Sequence, residues 1–391
     1  MKIAVATWSY DEHQGISRCV VELTARLAQT HEVHVFAAEQ ATEARPGVHL
    51  QRVDLRYPRP HINDYDFFFR AGRALRAGNF DLVHAHFPVW CPTDVYTCHG
   101  LARMALRSWR RFPPDARVDV PTLRMLRWYV QIPIHSYAVR QRKPLLAAVS
   151  NKVARELAEE TGRPLERITV VPNGVDLDRF NPAARDRLRT EARAALGIGD
   201  DRFVLLWVGN HLRHKGIRHT LAVLDKLPER AMLCVVGGDD PRNVPEAAQS
   251  IERLQAQGRL TFCKADLKIE RYYAAADALL FPSLYESFGL VVLEAMAMGV
   301  PTVTPRTVGF ADEAVTDGVN GMLVDVPWDI DGLARRTLAL MLDGALARAV
   351  SLAGIETARH YTWNAYCSMH EALYASAIKS RDTRQGRIHA T

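Results

Sequence analysis

The chain has 391 residues, 48% apolar and 24% charged, which is the mix of a soluble globular protein with room for two domains. No run of about 18 apolar residues occurs, so no membrane span is predicted, and "MKIAVATWSY" reads as a first strand instead of a secretory signal. The net charge of +6 is concentrated: Ala102 to Pro144 holds ten Lys or Arg against two Asp, so +8 in 43 residues, and the rest is about −2.

That basic segment also carries Trp109, Phe112, Trp128 and Tyr129. It reads either as a solvated basic face or as a surface that docks onto an anionic membrane, where each Lys or Arg adds about 1 kcal/mol. Nucleic acid is not an expected partner, because no helix-turn-helix, RRM or zinc-finger pattern accompanies the charge. Cys19, Cys91, Cys98, Cys234, Cys263 and Cys367 are scattered, with no C-x-x-C pair. They predict reduced thiols in a cytoplasmic protein, with neither a disulfide frame nor a zinc site.

Short apolar runs alternate with helical patterns along the whole chain, as in parallel sheets covered by helices. "KIAVAT", "EVHVFAA", "DLVHAH", "DVYTCHG", "LLAAVS" and "RITVVPNGVD" are the predicted strands of a first half, with a helix from about Ile16 to Ala28 after the first of them. Asn173-Gly174 and Asn181-Pro182 are turn signals and place the domain boundary near 175–185. A helix over "RDRLRTEARAALGIG" leads into "FVLLWVGN", "AMLCVVGG", "LTFCKA", "ALLFPS" and "PTVTP". "YTWNAYCSMHEALYASAIKS" is a closing helix, and the polar tail from Arg381 is expected to be loose. Two α/β halves imply a ligand cleft reached from the carboxyl ends of the strands. G-x-G-x-x-G, P-loop, G-x-S-x-G and H-E-x-x-H motifs are all missing.

The most informative stretch is "ESFGLVVLEAMAMGVP", Glu286 to Pro301. A strand and a short loop precede it, and Gly299 with Pro301 gives its helix a stop signal. The helix start at Phe288, Gly289 and Leu290 offers free N–H groups and about half a positive charge, which suits a phosphate. Gly289 lets the backbone come close to a ligand. Glu286 before the helix and Glu294 in its second turn can each accept hydrogen bonds from a pair of sugar hydroxyls. Either glutamate alone reads best as an ordinary surface residue; the combined pattern does not.

The stretch resembles the E-x7-E signature of retaining glycosyltransferases of family 4. The resemblance extends over nearly the whole chain through "DLVHAHFP", "TCHG", "AVSNKVARELAEETG", "ITVVPNGVDLDRFNP", "VGNHLRHKG", "ADALLFPSLYESFGLVVLEAMAMGVP" and "DGVNGMLV". The "GNHLRHKG" loop and "VGFADEA" look closest to the lipopolysaccharide-core glucosyltransferase branch. The resemblance implies a GT-B fold: two Rossmann-like α/β domains facing a central cleft. Residues 1–178 would form the acceptor domain, with 366–391 packing back on it, and 179–365 the nucleotide-sugar domain. It further implies that Glu286 meets the donor sugar near its 3-hydroxyl, that the backbone of Phe288, Gly289 and Leu290 meets sugar hydroxyls and diphosphate, and that Glu294 binds the ribose.

A departing nucleoside diphosphate needs a metal or fixed cations. "GGDDP" has the wrong spacing for a D-x-D metal motif and reads as a turn, so neither a metal nor another cofactor is expected. The cations lie in "WVGNHLRHKGIRH": Arg213, His214, Lys215 and Arg218. The family pattern G-R-x-x-x-x-K-G begins at Gly209. Lys215 matches its lysine, whereas Asn210 stands where the family has arginine, and Arg213 is the expected replacement. In the first half, Gly15 opens the helix after strand one, with Gln14 in place of the first glycine of the family's pair. His99 in "TCHG" resembles the family histidine near sugar and acceptor. His84 and His86 in "VHAH" read as scaffold, at most one of them facing the cleft.

The implied activity moves a hexose from a UDP- or GDP-sugar to a hydroxyl of a glycan or lipid-linked acceptor, in cell-envelope polysaccharide or lipopolysaccharide synthesis. The implied route is front-side and oxocarbenium-like, without a covalent intermediate. The expected location is the cytoplasm or the inner face of its membrane. A transferase making a small soluble glycoconjugate, and a non-catalytic nucleotide-sugar binder, remain as alternatives. Base recognition is expected around Lys264 to Leu267.

Overall fold

The computed structural model of the chain describes residues 1–57, 60–112, 122–141, 143–264 and 268–388. Two compact units share the chain, and the closing helix belongs with the first of them.

The first unit is built from β1 (Lys2–Tyr10), α1 (Gly15–Leu27), β2 (Glu32–Gln40), β3 (Val48–Arg52), α2 (Pro60–Ala77), β4 (Leu82–Ala85), β5 (Val95–Cys98), α3 (Ala102–Arg111), α4 (Thr122–Arg140), β6 (Leu145–Ala148), α5 (Asn151–Thr161) and β7 (Ile168–Val170). Its seven strands run in the order β3-β2-β1-β4-β5-β6-β7, and every pairing is parallel. Ile3, Val5, Val33, Val35, Val95 and Leu146 fill its core, which is why these strands read as near-continuous apolar runs. α5 starts where the Ser150 hydroxyl accepts the Val153 N–H at 3.2 Å, and it stops at Gly162 in the left-handed region, φ 68°.

The second unit is built from α6 (Pro182–Ala195), β8 (Phe203–Val208), α7 (Ile217–Asp225), β9 (Ala231–Val236), α8 (Ala248–Ala256), β10 (Leu260–Cys263), α9 (Glu270–Ala275), β11 (Ala278–Leu280), α10 (Leu290–Ala297), β12 (Thr302–Pro305), α11 (Gly309–Ala314), β13 (Met322–Val324), α12 (Ile330–Leu342) and α13 (Gly344–Ala358). Its parallel sheet runs β10-β9-β8-β11-β12-β13 over a core that includes Leu205, Trp207, Leu233, Leu280, Val303 and Leu333. The Asn181-Pro182 signal is the start of α6: the Asn181 side chain accepts the Ala184 N–H at 2.8 Å, and proline occupies the first helical position.

The last helix, α14 (Trp363–Ile388), rejoins the first unit, where Tyr374 reaches His84 on β4. The tail from Arg381 is therefore not loose as expected: the helix continues to Ile388, and the Arg381 guanidinium bonds the Asp81 carbonyl at 2.8 Å. Among the described residues no single helix is long and apolar enough to cross a membrane.

Candidate active site

In the second unit the loops that follow β8, β9 and β10 are tied together at the strands' carboxyl ends. Gly209 donates its N–H to the Val236 carbonyl at 2.9 Å, and Gly237 donates to Cys263 at 3.1 Å. A Cβ at Gly237 would collide with the Gly209 carbonyl, so only glycine fits there. Asn210 accepts the Gly238 N–H at 2.8 Å, and Asp239 accepts the Leu212 N–H at 3.1 Å. Asn210 thus has a structural duty at the position where the family carries a cation: it pins the Gly237–Gly238 turn. The "GGDDP" aspartates also have local partners, since Asp240 caps the following turn by accepting the Arg242 N–H at 2.8 Å. These three strand ends border a pocket of about 390 Å³ whose lining includes Leu212, Gly238, Asp239, Arg242, Phe262 and Lys264. Lys264 is the described part of the segment expected to read the base; Ala265 to Leu267 lie outside the described residues.

The β8 loop returns through Lys215 and Gly216 onto the segment after β11. Gly216 has φ 78°, and a Cβ there would strike the Pro282 carbonyl. His214 accepts the Leu284 N–H at 3.1 Å through its own carbonyl, and Trp207 Nε1 bonds the Lys215 carbonyl at 3.2 Å. Because β8 and β11 are neighbours in the sheet, this folding brings two residues 71 positions apart into contact. Lys215 Nζ forms an ion pair with Glu286 Oε2, each side chain about one-fifth exposed (19%), and the ammonium sits 5.6 Å from the centre of the Phe281 ring.

Glu286 continues as a parallel bridge to Val308: Gly309 donates to the Glu286 carbonyl at 3.1 Å and Phe310 to the Phe288 carbonyl at 2.8 Å. Gly289 caps α10 with φ 102°, and a Cβ on it would lie 2.5 Å from Val308 Cγ1. Among the described residues no backbone carbonyl takes up the N–H groups of Phe288, Gly289 or Leu290. They remain available to an anion at the helix start. Glu294, on the same helix, is buried, and its Oε2 accepts the hydroxyl of the fully buried Tyr273 at 2.7 Å.

Arg213, the expected replacement for the missing cation, has a carboxylate partner in its own unit. It forms a two-pronged pair with Glu246, both contacts 2.8 Å. Burial pushes the Glu246 carboxyl up, but the Arg213 guanidinium, a backbone N–H and the Arg218 charge together outweigh it and hold that carboxyl below the ordinary range. Neither Glu246 nor Tyr273 carried a recognisable motif; both are identified only by folding.

Gly15 and His99 stand in the first unit. Gly15 is the exposed first residue of α1, after Gln14. His99 follows β5 directly, and its Nε2 lies 2.9 Å from His86 Nδ1. His84 and His86 were expected to point to opposite sides. Residues two apart on a strand share a face, and their rings in fact lie 4.2 Å apart.

Together with His370 of α14 these rings form a buried cluster whose proton positions follow from its partners. The Tyr366 carbonyl accepts from His370 Nδ1 at 2.9 Å, so the bare Nε2 of neutral His370 accepts the Thr97 hydroxyl at 3.0 Å. Thr97 Oγ1 then accepts from His84 Nε2 at 2.8 Å, and His84 Nδ1 accepts the Tyr374 hydroxyl at 2.8 Å. Burial, aided by His370, pushes His99 down to about 3, and burial pushes His370 down to about 4.

The basic segment is partly neutralised within the unit: Arg103 and Arg140 pair with Glu160 of α5 at 2.9 and 3.3 Å, and Arg107 pairs with Glu159. Its stretch from Pro113 to Pro121 lies outside the described residues.

Known proteins share this sequence pattern and this fold. Residues 13–179 match the model of Glycosyltransferase Family 4, and residues 189–357 match Glycosyl transferases group 1. A D-inositol 3-phosphate glycosyltransferase of Xylanimonas cellulosilytica is 31% identical over 95% of this chain and 93% of its own. One of the same name from Salinispora tropica is 29% identical over 95% and 82%. The crystal structure of WaaG, a glycosyltransferase involved in lipopolysaccharide biosynthesis, shares the fold with TM-score 0.78 at 21% identity, covering 95% of this chain and 98% of that one. Anabaena Alr3699/HepE in complex with UDP-glucose does so with TM-score 0.72 at 20% identity, over 97% and 100%. The match across both units, by sequence as well as by fold, makes this chain a member of glycosyltransferase family 4 with the GT-B fold.

Proposed function

We propose that the chain transfers a hexose, with retention, from a nucleotide-sugar to an acceptor hydroxyl. The observation that carries this reading is the juxtaposition of Lys215 and Glu286 beside the open helix start at Gly289. Lys215 and the free N–H groups stabilise the negative charge that develops on the departing diphosphate, Glu286 holds the sugar hydroxyls, and Glu294, fixed by Tyr273, takes the ribose. Fixed cations, with Arg213 released from Glu246 as a second one, fill the role a metal would otherwise play. The donor is a UDP-hexose; a fold relative has been solved with UDP-glucose. Thermal unfolding with UDP, GDP or ADP, each with and without EDTA, tests this. A nucleotide at 100 times its Kd adds about 2.7 kcal/mol of stability. UDP is expected to raise the midpoint equally with and without EDTA. No shift with any nucleotide would overturn the donor site, and a shift abolished by EDTA would overturn metal independence.

For the acceptor, the reading from the chain itself is a cell-envelope glycan or lipid-linked glycan reached at a membrane surface. An exposed aromatic patch supports it: Phe69 and Trp90 lie 5.0 Å apart, Tyr137 packs on Phe68 at 5.3 Å, and the Arg76 guanidinium covers Trp90 at 5.0 Å. Aromatic rings mixed with arginines are the composition of a membrane-interface anchor. Replacing Phe69 and Trp90 by serine is expected to release the protein from phosphatidylserine vesicles in a flotation assay. Unchanged flotation of the variant, or none of the parent, removes the membrane from the proposal. A small soluble acceptor is the second reading. It is favoured by the relatives named for D-inositol 3-phosphate.

A further inference from the structure

Two aromatic faces in the first unit are not consumed by its core, and they stand at the carboxyl edge of its sheet. Trp8 lies near the carboxyl end of β1, Phe87 two residues beyond β4, and His99 directly after β5. These three strands are consecutive neighbours in the sheet, so the residues form a row along its carboxyl edge. Trp8 and Phe87 are each half-buried, with ring centres 5.4 Å apart. Both rest on Phe67 of α2, which is fully buried, at 5.6 and 5.5 Å. The platform is therefore rigid from below. His135 of α4 stands edge-on to Phe87 at 6.1 Å, and its Nδ1 has no hydrogen-bond partner among the described residues. Two adjoining, partly open aromatic rings, one of them with a histidine at its edge, are the composition of a site for a ring-shaped molecule that is apolar on its face and polar at its edge.

We propose that Trp8 and Phe87 form the acceptor platform, on which the C–H face of a pyranose or cyclitol ring stacks while His135 meets one of its hydroxyls. The assignment rests on the glycosyl-transfer reading above and names the class of acceptor: a ring polyol, not an extended chain alcohol or an amino acid hydroxyl. Stacking fixes the plane of the ring and leaves its rim hydroxyls to be presented for reaction, so the platform acts by orientation.

Saturation-transfer NMR on the full chain tests this with two probes, D-inositol 3-phosphate and methyl α-glucoside, each added at millimolar concentration with UDP present. Saturation of ring C–H protons is expected for at least one probe. It is expected to fall to the protein-free baseline in Trp8→Leu and Phe87→Leu, which keep apolar volume but lose the π face, and to return in Trp8→Phe. In a transfer assay with the probe that binds, Trp8→Leu is expected to raise the acceptor KM about tenfold, the size of one lost stacking contact. UDP-induced thermal stabilisation, measured on the same samples, reports on the second unit. If it persists while neither probe is saturated, or while Trp8→Leu binds like the parent, the platform is wrong and the transferase reading stands. If UDP also fails to bind, the donor reading falls with it.

Discussion

Replacing Glu286 by glutamine is expected to lower kcat by about a thousandfold, the size of effect seen when one preorganised polar group is removed from a transition state. UDP affinity is expected to stay the same or to improve. The opposite directions follow from the ion pair. Before donor arrives, Glu286 compensates the half-buried Lys215 ammonium. A diphosphate takes over that ammonium, and the carboxylate is then a nearby like charge whose benefit lies only in its hold on the sugar. Neutralising it removes a competitor for the lysine and at the same time removes the sugar contact. Lys215→Met is expected to behave in the reverse sense, weakening UDP by more than about tenfold because the diphosphate then faces an uncompensated carboxylate. Steady-state kinetics with UDP titrations on both variants check the pair. A Glu286→Gln enzyme that keeps more than a tenth of the parent kcat would remove Glu286 from the chemistry.

The parts of the molecule that were legible in the sequence are those fixed by local physics. Strands buried on both faces announce themselves as apolar runs, as "KIAVAT" and "FVLLWV" do, and Gly289 is recognisable because the left-handed backbone that starts this helix, φ 102°, favours glycine. β3 was missed because Val48–Arg52 is an edge strand, and only Val48 in it is buried. β13 was missed because its three residues stand alone between Gly321 and Asp325, whereas the equally short β7 and β11 sit within longer apolar runs. The pairing of Arg213 with Glu246 spans 33 positions, and that of Glu294 with Tyr273 spans 21; nothing in the spacing announces either. The charge count over Ala102 to Pro144 was incomplete for the same reason. It could not include Glu159 and Glu160, which the fold brings against it. The tail past Arg381 looked loose by composition, yet the helix it belongs to had already been docked by Tyr374 and His370.

That docking makes the first unit acid-labile, and its stability is expected to fall steeply between pH 6.5 and pH 4. His84, His86, His99, His135 and His370 are all held neutral below the ordinary histidine value of 6.5, chiefly by burial; His135 and His370 are held down to about 4 and His99 to about 3. In the unfolded chain each binds a proton as the pH drops through about 6.5. Between 6.5 and the folded values the unfolded state therefore carries more protons, and acid favours it. Each histidine fully in this window costs about 1.4 kcal/mol per pH unit. Several acting together consume a typical domain stability of about 5–15 kcal/mol within two pH units. Protonation also breaks the chain of bonds: a charged His370 has no bare nitrogen left to accept the Thr97 hydroxyl, and a charged His84 none to accept Tyr374. Hydrogen exchange followed from pH 7 to pH 5 is expected to show β1, β4, β5 and α14 losing protection together. His370→Gln keeps an acceptor near Thr97 but removes one titrating group. It is expected to flatten the pH dependence by about 1.4 kcal/mol per pH unit. Stability that stays level from pH 7 to pH 5, or a His370→Gln slope equal to that of the parent, would show that the cluster does not control the docking of the closing helix.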